Sequence, residues 1–141
     1  SFAAKLLGTP YQERSHIFAE MTFHEQGYNP MRAIRTKKWK YIYNFTNFKD
    51  VLFQIPADAL NTRSGRQYLE NHPEYFKPRP TEELYDLGTD PYEFTNLAEN
   101  PAYFEVKREL KTKLMQYLER TQDPILKEEP KQPKKPKKPY Y

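Results

Sequence analysis

Residues 31–45, Met-Arg-Ala-Ile-Arg-Thr-Lys-Lys-Trp-Lys-Tyr-Ile-Tyr-Asn-Phe, hold the densest run of β-branched and aromatic side chains in the chain, broken once at Thr36-Lys37-Lys38. That pattern predicts two antiparallel strands joined by a tight turn. With Lys37 and Lys38 as the loop, Thr36 faces Trp39, Ile34 faces Tyr41 and Arg32 faces Tyr43. Opposed residues share a face, so one side carries Ile34, Trp39, Tyr41 and Tyr43, with Arg32 able to lie over an aromatic ring. The other side carries Met31, Ala33 and Ile42, and two partly apolar faces imply strands covered on both sides. Lys-Lys is not the Asn-Gly kind of turn, and this alignment sets Arg35 against Lys40. The residues therefore support the hairpin and leave its register open.

The flanking segments build outward from this ribbon. Ile17 to Phe23 alternates Ile17, Ala19, Met21 and Phe23 against Phe18, Glu20 and Thr22, as a central strand would. His24-Glu25-Gln26 follows, and Gly27-Tyr28-Asn29-Pro30 reads as a loop by its breakers. Residues 44–80 are the least periodic and read as an irregular insertion, with a short strand over Val51–Ile55 and helical turns over Ala57–Leu60 and Ser64–Glu70. Asn44-Phe45-Thr46 matches a glycosylation sequon. Glu83 to Leu87 is a further strand. Asp90-Pro91-Tyr92-Glu93 has the form of a capping box opening a short helix. Asn100-Pro101 opens the main helix, which runs to about Arg120. There Tyr103, Val106, Leu110, Leu114 and Tyr117 share a stripe with Leu118 beside it. Twenty helical residues span about 30 Å, enough to cross four strands. The expected fold is α+β: a small antiparallel sheet of about four strands, packed by a long C-terminal helix, with one domain over residues 1–126.

The charge of +4 is not spread over that domain. Residues 127–141 hold six Lys and two Glu, leaving 17 basic and 17 acidic residues elsewhere. The Lys/Pro tail cannot bury apolar surface and is expected to be disordered. A neutral body gives no reason to expect nucleic acid as a partner, and no apolar run approaches the ~18 residues that span a membrane. Ser1 in place of a Met reads as the start of an excised piece.

Chemistry has few places to reside. With three His and no Cys, thiolate zinc sites and cysteine nucleophiles are excluded, and none of the common catalytic or metal-binding motifs occurs. No catalytic residue and no metal ligand is predicted. His24 and Glu25, at a strand end before a Gly/Pro loop, form the best candidate substrate-binding pair, because side chains at sheet edges meet ligands. The alternative is an exposed pair making local hydrogen bonds. Arg35, Lys37, Lys38 and Lys40 crowd one turn, where they could meet an anion or simply be solvated.

Four segments occur in an order that carries a resemblance: Glu13-Arg14-Ser15-His16-Ile17-Phe18-Ala19-Glu20; Phe23-His24-Glu25; Met31-Arg32-Ala33-Ile34-Arg35-Thr36 with Trp39-Lys40-Tyr41-Ile42; and Glu83-Leu84-Tyr85-Asp86-Leu87 with Asp90-Pro91-Tyr92-Glu93 and Asn96-Leu97-Ala98. Together they resemble the C-terminal subdomain of the formylglycine-dependent (type I) sulfatases over residues 1 to about 124. Thr22-Phe23-His24-Glu25 and Pro30-Met31-Arg32 are most similar to the N-sulfoglucosamine sulfohydrolases, also called sulfamidases or heparan N-sulfatases. The resemblance implies that formylglycine and calcium belong to an N-terminal domain absent here, so that this chain holds no cofactor and is not catalytic alone. It implies a domain that completes the pocket for a sulfated sugar, with His24 and Glu25 facing it and the N-terminal sulfatase domain as partner. Export to a periplasm or the exterior, or a lysosomal location, follows from the family. The competing expectation is a stand-alone polyanion- or glycan-binding module that grips its ligand with the basic tail and turn.

Overall fold

A computed structural model describes residues 3–24, 27–46, 62–71 and 79–127. A short helix α1 (Ala3–Leu6) precedes strands β1 (His16–His24), β2 (Gly27–Thr36) and β3 (Trp39–Asn44). Helix α2 (Arg63–Asn71), strand β4 (Glu82–Asp86), a 3-10 turn (Pro101–Tyr103), helix α3 (Phe104–Thr121) and a last 3-10 turn (Pro124–Leu126) follow. The four strands form one antiparallel sheet in the order β1-β2-β3-β4. This is the α+β arrangement expected from the sequence.

The central hairpin has the register set by a two-residue Lys37-Lys38 loop: Arg32 opposes Tyr43, Ile34 opposes Tyr41 and Arg35 opposes Lys40. Thr36 supplies what the Lys-Lys turn lacks. Its Oγ1 accepts from the Lys38 and Trp39 amides at 3.2 and 2.8 Å, closing the turn with a side chain where a glycine would otherwise be favoured. Each turn lysine meets a carboxylate: Lys37 with Glu13 at 2.7 Å and Lys38 with Asp86 at 3.7 Å. Lys40 beyond them pairs with Glu93 at 2.5 Å, so these lysines are ion-paired within the fold.

Helix α3 lies on one face. Leu110, Leu114 and Leu118 pack with Ile34, Tyr41, Leu84 and Ala98 in a fully buried core. Tyr103, Val106 and Tyr117 border it, so Leu118 belongs to the centre of the stripe and not beside it. Phe18 stacks on Tyr117 with centroids 3.8 Å apart, tying the edge strand to the helix. Asn100 starts the helical segment as expected, its side chain accepting from the Ala102 amide.

Four sequence expectations are corrected. β1 lies at the sheet edge, not its centre, and Ile17 stays half exposed. Gly27 to Pro30 is not a loop but the start of β2. The ladder shifts register there, with Met21 opposite Met31 but Phe23 opposite Tyr28. β2 thus holds one extra residue, and the resulting bulge accommodates the N–H that Pro30 lacks. Asp90 opens no helix. It accepts from the Thr95 amide at 2.8 Å, while Glu93 takes a left-handed φ of 61° that stops helical propagation and pairs with Lys40. Among the described residues Arg32 lies over no ring; its guanidinium reaches a carboxylate described below. The strand and turns expected at 51–60 lie outside the described residues.

The Asn96-Leu97-Ala98 run has a structural task. Asn96 Oδ1 accepts from the Leu84 and Ala98 amides, its Nδ2 donates to the Glu82 carbonyl, and the Leu97 amide donates to the Leu84 carbonyl at 2.8 Å. This segment caps the outer edge of β4, satisfying groups that an open edge would leave exposed.

Candidate functional site at the β1–β2 strand end

His24 is the last residue of β1 and opposes Gly27, the first of β2. His24 therefore sits where two long strands meet, and Glu25 lies outside the described residues. Only two residues connect the strands, so the direction of this end follows from the ladder below it.

That ladder is anchored at the bulge. Arg32, on the helix-facing side of β2, is 4% exposed. Its Nη1 donates to the carbonyls of Met21 and Met31, at 3.0 and 2.9 Å, and to Thr22 Oγ1 at 3.2 Å. Met21 and Met31 form the last regular pair before the register shift. The guanidinium thus fills the break in the ladder. Its other edge donates to Asp123 from Nε and Nη2, at 2.6 and 3.0 Å, in the forked geometry that arginine offers a carboxylate. Asp123 reaches it because α3 ends on Gln122 in a left-handed conformation (φ 53°), which turns the chain back toward the sheet. Hydrogen bonding from Arg32, working against burial, holds the Asp123 carboxyl below its ordinary range. Beyond the bulge, buried Tyr28 opposes Phe23, and Arg79 donates to Asn29 Oδ1 at 3.5 Å.

His16 and His24 stand at opposite ends of β1. His16 begins β1, about 26 Å from its other end at strand rise. Its Nδ1 lies 2.8 Å from Ser15 Oγ, and its ring meets Phe18 edge-on. It helps line a 570 Å³ cleft bounded by residues 12–18, Tyr117 and Arg120. His72 lies outside the described residues. Among the described residues no group of three or more His, Asp or Glu side chains could hold a metal ion, and no helix is long and apolar enough to cross a membrane.

Sequence reading missed Arg32 and Asp123 as partners. The signal available was an Asp just past the helix end, next to Pro124, with an Arg inside an otherwise apolar strand. Nothing in either stretch alone connects them.

A four-stranded antiparallel sheet with one long helix across it, and a buried ion pair joining the two, defines a small α+β fold. No family model matches the chain. It is 35% identical over 99 residues, 70% of its length, to an ulvan-active sulfatase of Formosa agariphila. To a second ulvan-active sulfatase of that organism it is 32% identical over 116 residues. Human N-sulphoglucosamine sulphohydrolase matches at 28% over 134 residues, 86% of the chain. A solved 2-O GAG sulfatase shares the fold over 94% of the chain, with a TM-score of 0.61 at 23% identity. The chain belongs to the sulfatases, where it corresponds to their C-terminal subdomain. It spans 19 to 25% of the length of the curated relatives it matches.

Proposed function

We propose that this chain completes the substrate pocket of a sulfatase that removes sulfate from sulfated glycans, with the catalytic groups on an N-terminal domain that is its partner. The observation that carries this reading is the sequence match to two ulvan-active sulfatases over most of this chain but only a fifth of theirs. Formylglycine and calcium belong on that reading to the N-terminal domain, since this chain spans only about a fifth of the length of those relatives. Residues 1–126 act on this reading as the subdomain; the Lys/Pro tail beyond Lys127 lies outside the described residues.

On this reading the His24 imidazole and the Glu25 carboxylate project past the sheet into the pocket. The ring hydrogen-bonds a sugar hydroxyl, and the carboxylate accepts from a second hydroxyl or an amine. Such a pair suits an N-sulfoglucosamine unit, in keeping with the name of the human relative. Neither group touches the bond being broken, so both orient the sugar and move no proton.

The test is His24→Ala in the longer protein. The expected result is a fall in kcat/KM of about 1 to 3 kcal/mol on a sulfated glucosamine oligosaccharide, the size of a lost buried hydrogen bond. A smaller loss is expected on a simple aryl sulfate, with little change in Tm. Equal losses on both substrates would place His24 at the reacting centre. No loss on either, with a large fall in Tm, would make it a structural residue.

A further inference from the structure

We infer that Arg32 and Asp123 are positioning residues for the His24 strand end, through which the C-terminus of α3 sets the aim of the β1–β2 tip. The functional half of this inference rests on the reading of His24 given above; the structural half does not.

Three features of the geometry support it. First, the guanidinium sits at the one register shift in the β1–β2 ladder, on the last regular pair below the tip. Above the shift only two pairs remain, Phe23 with Tyr28 and His24 with Gly27, and their direction depends on the bulge, which bends and twists the strand that holds it. Whatever fixes the bulge therefore fixes the tip. Second, one Nη1 serves acceptors on both strands, including Thr22 Oγ1, two residues before His24. A lysine ammonium has no planar fork to do this while also holding a carboxylate by two parallel bonds. Third, the carboxylate is itself held. Asp123 Oδ1 also accepts from the Ile125 amide at 3.0 Å, and the Asp123 amide donates to Leu118 O at 2.9 Å. The clamp thus has a rigid base in the helix end and the turn after it. Glu20 stands 3.8 Å from Arg32 Nε, but its side chain is 75% exposed, so Asp123 is the dominant partner.

The pair can be separated from general stability. In the 141-residue chain, backbone order parameters from 15N relaxation are measured at Phe23, His24 and Gly27 for Asp123→Asn, Arg32→Lys and Thr22→Val. Leu114→Ala, fully buried in the core of the same helix and in contact with no member of the clamp by hydrogen bond, serves as control. Asp123→Asn and Arg32→Lys should lower the tip values from the rigid range of about 0.85 toward 0.6 or below. Thr22→Val should lower them less, and the control should leave them unchanged. Unchanged values in the clamp variants, or an equal drop in Leu114→Ala, would overturn the inference. Should Asp123→Asn fail to fold, Thr22→Val, which removes one acceptor and no charge, decides it alone. In the longer protein Asp123→Asn should raise KM for a sulfated glucosamine oligosaccharide about tenfold while kcat on an aryl sulfate stays within about twofold, a split expected of lost positioning. If His24→Ala raises that KM and Asp123→Asn does not, the positioning role is wrong. If neither raises it, the reading of His24 fails and the functional half of the inference falls with it, whatever the relaxation data show.

Discussion

The Tyr41 hydroxyl, in the middle of β3, donates to Glu82 at the start of β4 across 2.9 Å, and the same carboxylate receives Lys111 and Lys107 from α3. One side chain thereby joins two strands and the helix at the rim of the core. Burial raises the Tyr41 pKa, and the bond to Glu82 raises it further, so the phenol stays protonated as the donor.

Removing each partner should cost different amounts. Tyr41→Phe leaves Glu82 with both lysines and should lose about 0.5 to 1.5 kcal/mol, an ordinary net hydrogen bond. Glu82→Ala strands a buried hydroxyl as well and should lose about 1 to 3 kcal/mol. Urea unfolding of both variants and the double variant measures the coupling; single losses that add within about 0.3 kcal/mol would mean that the bond contributes nothing.

Acid should weaken the fold through two carboxyls. The Arg32 hydrogen bond holds Asp123 below its usual 3.8. Burial pushes Glu82 up, but hydrogen bonds from Lys111, Tyr41 and Lys107 outweigh it and leave the group below 4.5. A carboxyl depressed in the folded state adds stability that is complete above its unfolded pKa and is lost as pH falls through its folded pKa. Stability contributed by these two groups should therefore hold from neutrality to about pH 5 and decline below it. Following Tm into the acid range checks this, and Asp123→Asn should flatten part of the decline.

The core should respond to truncation in proportion to burial. Leu114 is fully buried on the helix stripe, and Leu114→Ala should cost about 2 to 5 kcal/mol. Gln116, exposed on the same helix, should change stability by no more than about 0.5 kcal/mol when replaced by Ala. Chemical denaturation of the two variants is sufficient, and similar losses would mean that the stripe does not face the sheet.

The sequon at Asn44 should stay unmodified. Asn44 is 1% exposed, and its Nδ2 donates to the Pro80 carbonyl and to Glu83 at 2.8 and 2.6 Å. A glycan on that nitrogen would have no path to solvent in the folded domain. Mass spectrometry of the chain secreted from a glycosylating host should find Asn44 bare; full occupancy would mean that the β3–β4 pairing forms late or not at all.

Much of this architecture was legible because it follows local periodicity. A strand places alternate residues on one face and a helix every third or fourth, so Ile34 and Tyr41, Leu110 and Leu114 could be assigned to one core from spacing alone. The place of His24 was legible: it ends β1, as the close of the apolar alternation at Phe23 indicated. The brace beneath it was not, because a charge in a strand has no periodicity that names its partner.

The sequence alone therefore determined the central hairpin, the main helix and its apolar stripe, since these depend on neighbours within a few residues or across a short turn. Tertiary structure decided that β1 lies at the edge, that Pro30 sits in a bulge, that Glu93 leaves helical conformation to meet Lys40, and that Arg32 finds Asp123 91 positions away. The reason is plainest for Pro30 and Arg32. A buried charge or a missing N–H is costly wherever it lies, and the position of the group that relieves it is set only when distant segments pack.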